Sequence, residues 1–127
     1  MNLFNDLIVS PIQYGLCLSE KSFKKTMNEI GLSKIDRPDF MASNTANATA
    51  HIFYEHNIVV VCVKKNKDTT LIQMAGLIIH ESVHIWQWIK EHIGEVNPSK
   101  EFEAYSIQRI AQTLLSEYIE ANNERAR

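Results

Sequence analysis

The sequence predicts an α+β domain, with a small antiparallel β-hairpin or sheet packed on a helical core. Three observations point there. Residues 58–63 read Ile-Val-Val-Val-Cys-Val, an unbroken, mostly β-branched run of the kind that fills a buried strand. Residues 69–93 carry apolar positions at helical spacing between polar capping candidates and Gly94. Residues 99–122 repeat that pattern after Asn97-Pro98-Ser99. A chain of 127 residues holds one core, so a single domain over 1–127 is expected.

Taken in order, residues 1–18 are mixed, and Pro11 and Gly15 interrupt any regular pattern. A first helix runs from Ser19 to Ile30. Ser19 can cap it, Phe23, Met27 and Ile30 recur on one face, and Gly31 can end it. Residues 32–47 are polar and form a loop, with a turn at Asp36-Arg37-Pro38-Asp39 and a short helical turn around Phe40 and Met41. Residues 48–54 and 58–64 are the two strands, joined by the tight polar turn Glu55-His56-Asn57 into an antiparallel hairpin. Residues 64–68 read as a solvated charged loop. Asp68 or Thr69 caps the long helix, which reaches Ile93. Pro98 suits a first turn and Asn97 or Ser99 a cap, so a last helix opens there and runs to about Asn122, leaving a frayed tail at 124–127.

Composition narrows the function classes. Hydrophobic residues at 45% and charged residues at 22% fit an ordinary globular protein. A net charge of -2 gives no electrostatic case for nucleic acid or an anionic membrane as partner. Apolar stretches are broken well short of a bilayer span. The N-terminus lacks the basic opening and long apolar core of a secretory signal, so a cytoplasmic protein is expected. Cys17 and Cys62 are too few for a disulfide framework and sit among apolar neighbours. They read as buried free thiols and not as zinc ligands.

The long helix contains His80-Glu81-Ser82-Val83-His84, a His-Glu-x-x-His run. At about 100° per residue, His80 and His84 stand about 40° apart and one turn apart, so both imidazoles can meet one metal ion. Glu81 lies beside them, placed to act as general base on a water that the metal activates. Catalytic zinc takes a third protein ligand. The last helix offers Glu101 and Glu103, about 200° apart. Glu103 heads the apolar stripe Ile107, Ile110, Ala111, Leu114 and Tyr118, whereas Glu101 aligns with Gln108 and Gln112, so Glu103 is the expected ligand. The other reading makes Glu103 an exposed first-turn residue favoured by the helix dipole.

His80-Glu81-x-x-His84 with Glu103 on a second helix resembles the gluzincin group of zinc peptidases. The Glu-x-Glu-Ala run at 101–104 is similar to the third-ligand helix of the ImmA/IrrE-like peptidases, and residues 80–108 look like small metallopeptidases encoded by bacteriophages. The likeness covers roughly residues 48–118 and not a separate substrate-binding domain. It implies a minimal zincin-like fold, Zn2+ as cofactor, and hydrolysis of peptide bonds in a protein or peptide substrate, in the host cytoplasm for a bacteriophage protein. By the same analogy, the hairpin supplies an edge along which substrate lies as an added strand.

An oxyanion needs a further donor, for which Tyr105 and Tyr54 are the candidates and His51 a third. His56 is expected in solvent and His92 at the C-terminal dipole of its helix. Trp86 and Trp88 point to different sides of the long helix, one into the core and the other toward an interface. The competing function is a catalytically inactive, zinc-stabilised protein-interaction domain, in which the metal fastens the two helices.

Overall fold

The computed structural model describes residues 1–4, 12–64 and 68–126. Its elements are β1 (Gln13–Cys17), α1 (Glu20–Ile30), β2 (Ala48–Phe53), β3 (Ile58–Val63), α2 (Leu71–His92) and α3 (Lys100–Ala126). Short 3-10 turns at Lys34–Asp36 and Tyr54–His56 complete the order. The architecture is a small α+β fold, as the sequence predicts. No helix among the described residues is long and apolar enough to cross a membrane.

β3 is the centre of the sheet, and all six of its residues are buried. The strand order is β1-β3-β2. β2 pairs with β3 antiparallel, Ala48 opposite Val63 and Phe53 opposite Ile58, which is the expected hairpin. Asn57 closes it at φ 55°, a left-handed conformation that Asn tolerates better than most residues. β1 pairs with β3 in parallel, Gln13 beside Ile58 through Cys17 beside Cys62. The sheet is therefore mixed and not purely antiparallel, and the strand at 13–17 corrects the irregular reading of residues 1–18.

Gly15 hid that strand and also explains it. A β-carbon there would collide with the backbone carbonyl of Asn2, so only glycine lets the N-terminal segment pass over β1. Phe4 and Tyr14 then exchange backbone hydrogen bonds of 2.8 and 2.9 Å at the outer edge of β1.

Side chains alternate across the sheet and create two cores. Tyr14, Leu16, Val59, Val61 and Val63 face α2 and α3, meeting Met74, Ile78, Ile85, Ile89, Ile110 and Leu114. Cys17, Ile58, Val60 and Cys62 face the other way, onto Phe23 and Met27 of α1. The sheet is covered on both faces, which is why β3 carries no polar residue.

The helix ends follow their chemistry. The Ser19 hydroxyl accepts from the Ser22 amide and Gly31 ends α1 at φ 89°. Thr70, and not Asp68 or Thr69, caps α2, through a reciprocal pair in which Thr70 Oγ1 accepts from the Gln73 amide and Gln73 Oε1 from the Thr70 amide. The Ser99 hydroxyl accepts from the Phe102 amide at 3.2 Å and opens α3, which continues past Asn122 to Ala126. The helical turn expected near Phe40 lies instead at Lys34–Asp36, with bends at 40–43. Lys65, Asn66 and Lys67 of the expected charged loop lie outside the described residues.

Replacing Gly15 with Val should push the N-terminal segment off β1. The expected loss is about 1–3 kcal/mol, in the range of overpacking substitutions, read from urea denaturation of both proteins.

Candidate metal centre

The His-Glu-x-x-His stretch sits in mid-helix, where the backbone bonds of α2 hold its side chains in fixed directions. Apolar residues on one side of α2 dock it to the sheet, with Met74, Ile78 and Ile85 fully buried. That docking turns His80 and His84 outward, where both are exposed, and keeps Glu81 at the boundary, only 8% exposed. Ser82 is fully buried and donates its hydroxyl proton to the Ile78 carbonyl at 2.7 Å, so it leaves no unpaired polar group in the core.

The two imidazoles converge. Their Nε2 atoms lie 3.1 Å apart, with ring centroids at 4.7 Å. Zinc–nitrogen bonds of about 2.0–2.1 Å around a tetrahedral ion place neighbouring nitrogens about 3.3 Å apart, so the observed spacing fits two ligands of one ion. His84 Nδ1 stands 2.9 Å from Gln87 Oε1. An amide oxygen only accepts, so Nδ1 carries the proton and the lone pair of Nε2 is free to face His80. A hydrogen bond of this kind behind a ligating histidine fixes the tautomer and the ring direction. Gln87 was not singled out from the sequence, although a residue three positions after a histidine ligand shares its helix face.

Beside the pair runs a groove of about 390 Å³, lined by Ala50, Ile52 and Tyr54 from the hairpin and by Glu81, His84, Gln87, Trp88 and Glu91 from α2. β2 is an outer strand of the sheet, and no strand among the described residues pairs with its other side. The groove thus joins a strand edge, a buried carboxylate and an imidazole. A larger hollow of about 780 Å³ lies between α1 and the 34–44 loop, on the opposite face of the sheet, and holds none of these residues.

The remaining candidates fall in different places. Tyr54 lines the groove, 66% exposed, with its ring edge-on to Trp88 at 5.3 Å. Tyr105 is 65% exposed on α3, about 200° around that helix from Glu103, and is not a groove-lining residue. His51 faces α1, where its Nε2 bonds the Phe40 carbonyl at 2.9 Å and its ring meets Phe23. His56 is exposed, as expected, and His92 lies in the last turn of α2. Trp86 and Trp88 are both buried, at 1% and 7% exposure, so neither is the exposed interface residue anticipated for one of them.

Glu103 does lie at the head of the α3 stripe, whose Ile110, Leu114 and Tyr118 are buried, while Glu101 is exposed. Its carboxylate is engaged elsewhere than at the histidines. Glu103 Oε2 accepts from Trp86 Nε1 at 2.9 Å and lies 4.0 Å from Lys90 Nζ. Trp86 is about 200° around α2 from His84, so Glu103 docks on the far flank of that helix. Among the described residues no third His, Cys, Asp or Glu joins His80 and His84 in a group that could hold a metal. The structure thus pairs His80 with His84 and sets His84, Glu81 and Tyr54 along one groove, while Glu103 bonds Trp86 and Tyr105 does not line that groove.

Comparison with protein-family models, with curated proteins and with solved structures finds no match for this chain.

Two substitutions separate the roles. Gln87→Ala should weaken zinc binding about 10–100-fold, the usual cost of losing a partner behind a histidine ligand, measured by competition with a chromogenic chelator. Glu103→Ala should leave the buried indole N–H of Trp86 unpaired and cost about 1–3 kcal/mol of stability, with zinc affinity unchanged. Loss of zinc in that variant, to the extent seen for His80→Ala, would make Glu103 a ligand.

Proposed function

We infer that the chain is a zinc-dependent peptidase in which His80 and His84 hold the metal and Glu81 is the general base. The reading rests on one observation above all: two Nε2 atoms 3.1 Å apart, that of His84 on a groove that also contains a buried carboxylate and a strand edge with no strand partner among the described residues. Zinc in such a setting contributes Lewis-acid polarisation of a carbonyl and lowers the pKa of water toward ~7.

The chain's own residues account for the other needs of the reaction. The outer edge of β2 offers backbone donors and acceptors to an extended peptide, while Ala50, Ile52 and Trp88 supply apolar wall. A carboxylate oxygen of Glu81 takes a proton from water in the groove and returns it to the leaving amine. Tyr54, on the same rim, is the better placed of the two tyrosines to donate to a developing oxyanion. Gln87 holds His84 in its ligating tautomer. The same reading makes this a cytoplasmic enzyme, acting in the host cytoplasm if it is bacteriophage-encoded.

A second reading is favoured by the engagement of Glu103 with Trp86. In it, His80 and His84 would hold zinc as a structural ion, and the groove would bind a protein partner uncleaved. Among the described residues both histidines of the pair lie on α2, while Glu103 of α3 bonds Trp86.

The decisive experiment combines metal analysis of the purified protein with cleavage of a peptide library. Wild type should carry zinc and cleave, and His80→Ala and His84→Ala should do neither. Glu81→Gln should keep the metal and lose about 10²–10⁴-fold in turnover, the contribution typical of a general base. Full activity in Glu81→Gln would remove Glu81 from the mechanism. Stoichiometric zinc with no cleavage of any peptide would favour the interaction domain.

A further inference from the structure

The two cysteines, 45 positions apart in the chain, are neighbours in the fold. Parallel pairing sets Cys17 of β1 directly beside Cys62 of β3. In-register residues of a parallel pair point to the same face, and both thiols belong to the core beneath α1. Adjacent strands run about 4.8 Å apart, inside the window of about 4.4–6.8 Å between α-carbons that a disulfide spans. Both residues are free and fully buried.

We propose that Cys17 and Cys62 form a reversible intrachain disulfide across β1 and β3, with hydrogen peroxide as the oxidant that reaches them. Burial selects the oxidant. A bulky disulfide such as oxidised glutathione cannot approach sulfur atoms with no exposed surface, whereas a molecule near the size of water enters through local opening.

The surroundings assign the order of events. The interaction with Cys62 outweighs burial and, with Ser22, the Ser19 backbone and the N-terminal charge, holds the Cys17 thiol below its ordinary range. Cys17 also lies just before the N-terminus of α1, where negative charge is favoured. The Cys62 thiol is raised, by its role as donor to Cys17 and by burial. Its place before α1 makes Cys17 the attacking thiolate, and Cys62, in the central strand of the sheet, the resolving thiol.

The thiolate sulfur of Cys17 attacks one peroxide oxygen, the O–O bond breaks, and the departing hydroxide takes up a proton to leave as water. Cys17 is then a sulfenic acid. Cys62 sulfur attacks Cys17 sulfur, the S–O bond breaks, and the second hydroxide leaves with the Cys62 proton, also as water. Two thiols and one peroxide yield one disulfide and two waters. A dithiol reductant reverses the change.

The test treats the native protein with hydrogen peroxide, blocks remaining thiols in denaturant with iodoacetamide, and reads the intact mass and peptide map. The expected product is monomeric, lighter by two hydrogens, resistant to alkylation, and gives a peptide linking Cys17 to Cys62 that dithiothreitol separates. In Cys62→Ser the same treatment should stop at oxygen addition on Cys17. Two alkylated thiols after exposure, or oxygen added to wild-type Cys17 with no cross-link, would overturn the proposal. The wild-type reading stands alone if the variant does not fold.

Discussion

The structure depends on the burial of β3 from both sides. Six consecutive residues, each at 8% exposure or less, must be removed from water above and below the sheet. At about 1.5–3 kcal/mol for each large apolar side chain, that strand is worth about as much as the net stability of a typical domain, so its covers cannot be optional. α1 covers one face, and α2 with α3 covers the other. The histidine pair is a by-product of that demand. Once Met74, Ile78, Ile85 and Ile89 are committed to the sheet, helical geometry leaves His80 and His84 facing the flank beside β2.

This is also why much of the fold was legible in the residues. An all-apolar β-branched run can hardly be anything but a central strand, and Ser19, Gly31 and Ser99 mark helix ends by local chemistry alone. β1 was not legible, because its identity is tertiary. Gly15 looks like a breaker until the Asn2 carbonyl is seen against it, and a parallel partner more than 40 residues away leaves no local turn signal. The cap at Thr70 was missed by one or two positions for the opposite reason: Asp68, Thr69 and Thr70 all have suitable side chains, and only the reciprocal bond with Gln73 chooses among them.

The site divides along the same line. Whatever lies within one helix could be derived from spacing, so the meeting of His80 and His84 and the position of Glu81 were foreseeable. What requires two elements was harder. Glu103 heads the α3 stripe in the first turn, half-exposed, and its carboxylate turns to Trp86, whose indole N–H is buried and must find an acceptor. The packing of α3 on α2 brings that donor to Glu103 on the flank of α2 opposite the imidazoles. Tyr54 could not be ranked above Tyr105 until the hairpin was seen against α2.

Both tryptophans of the chain lie on α2, one on each flank. Trp86 is bonded to Glu103 at the seam with α3, and Trp88 meets Tyr54 and His92 beside the groove. Indole emission from this molecule is consequently a report on a single helix, with one tryptophan at the helix–helix seam and the other at the cleft. A ligand settling against β2 and a parting of α2 from α3 would thus alter different indoles, and single Trp→Phe versions would let each event be followed optically without any attached dye.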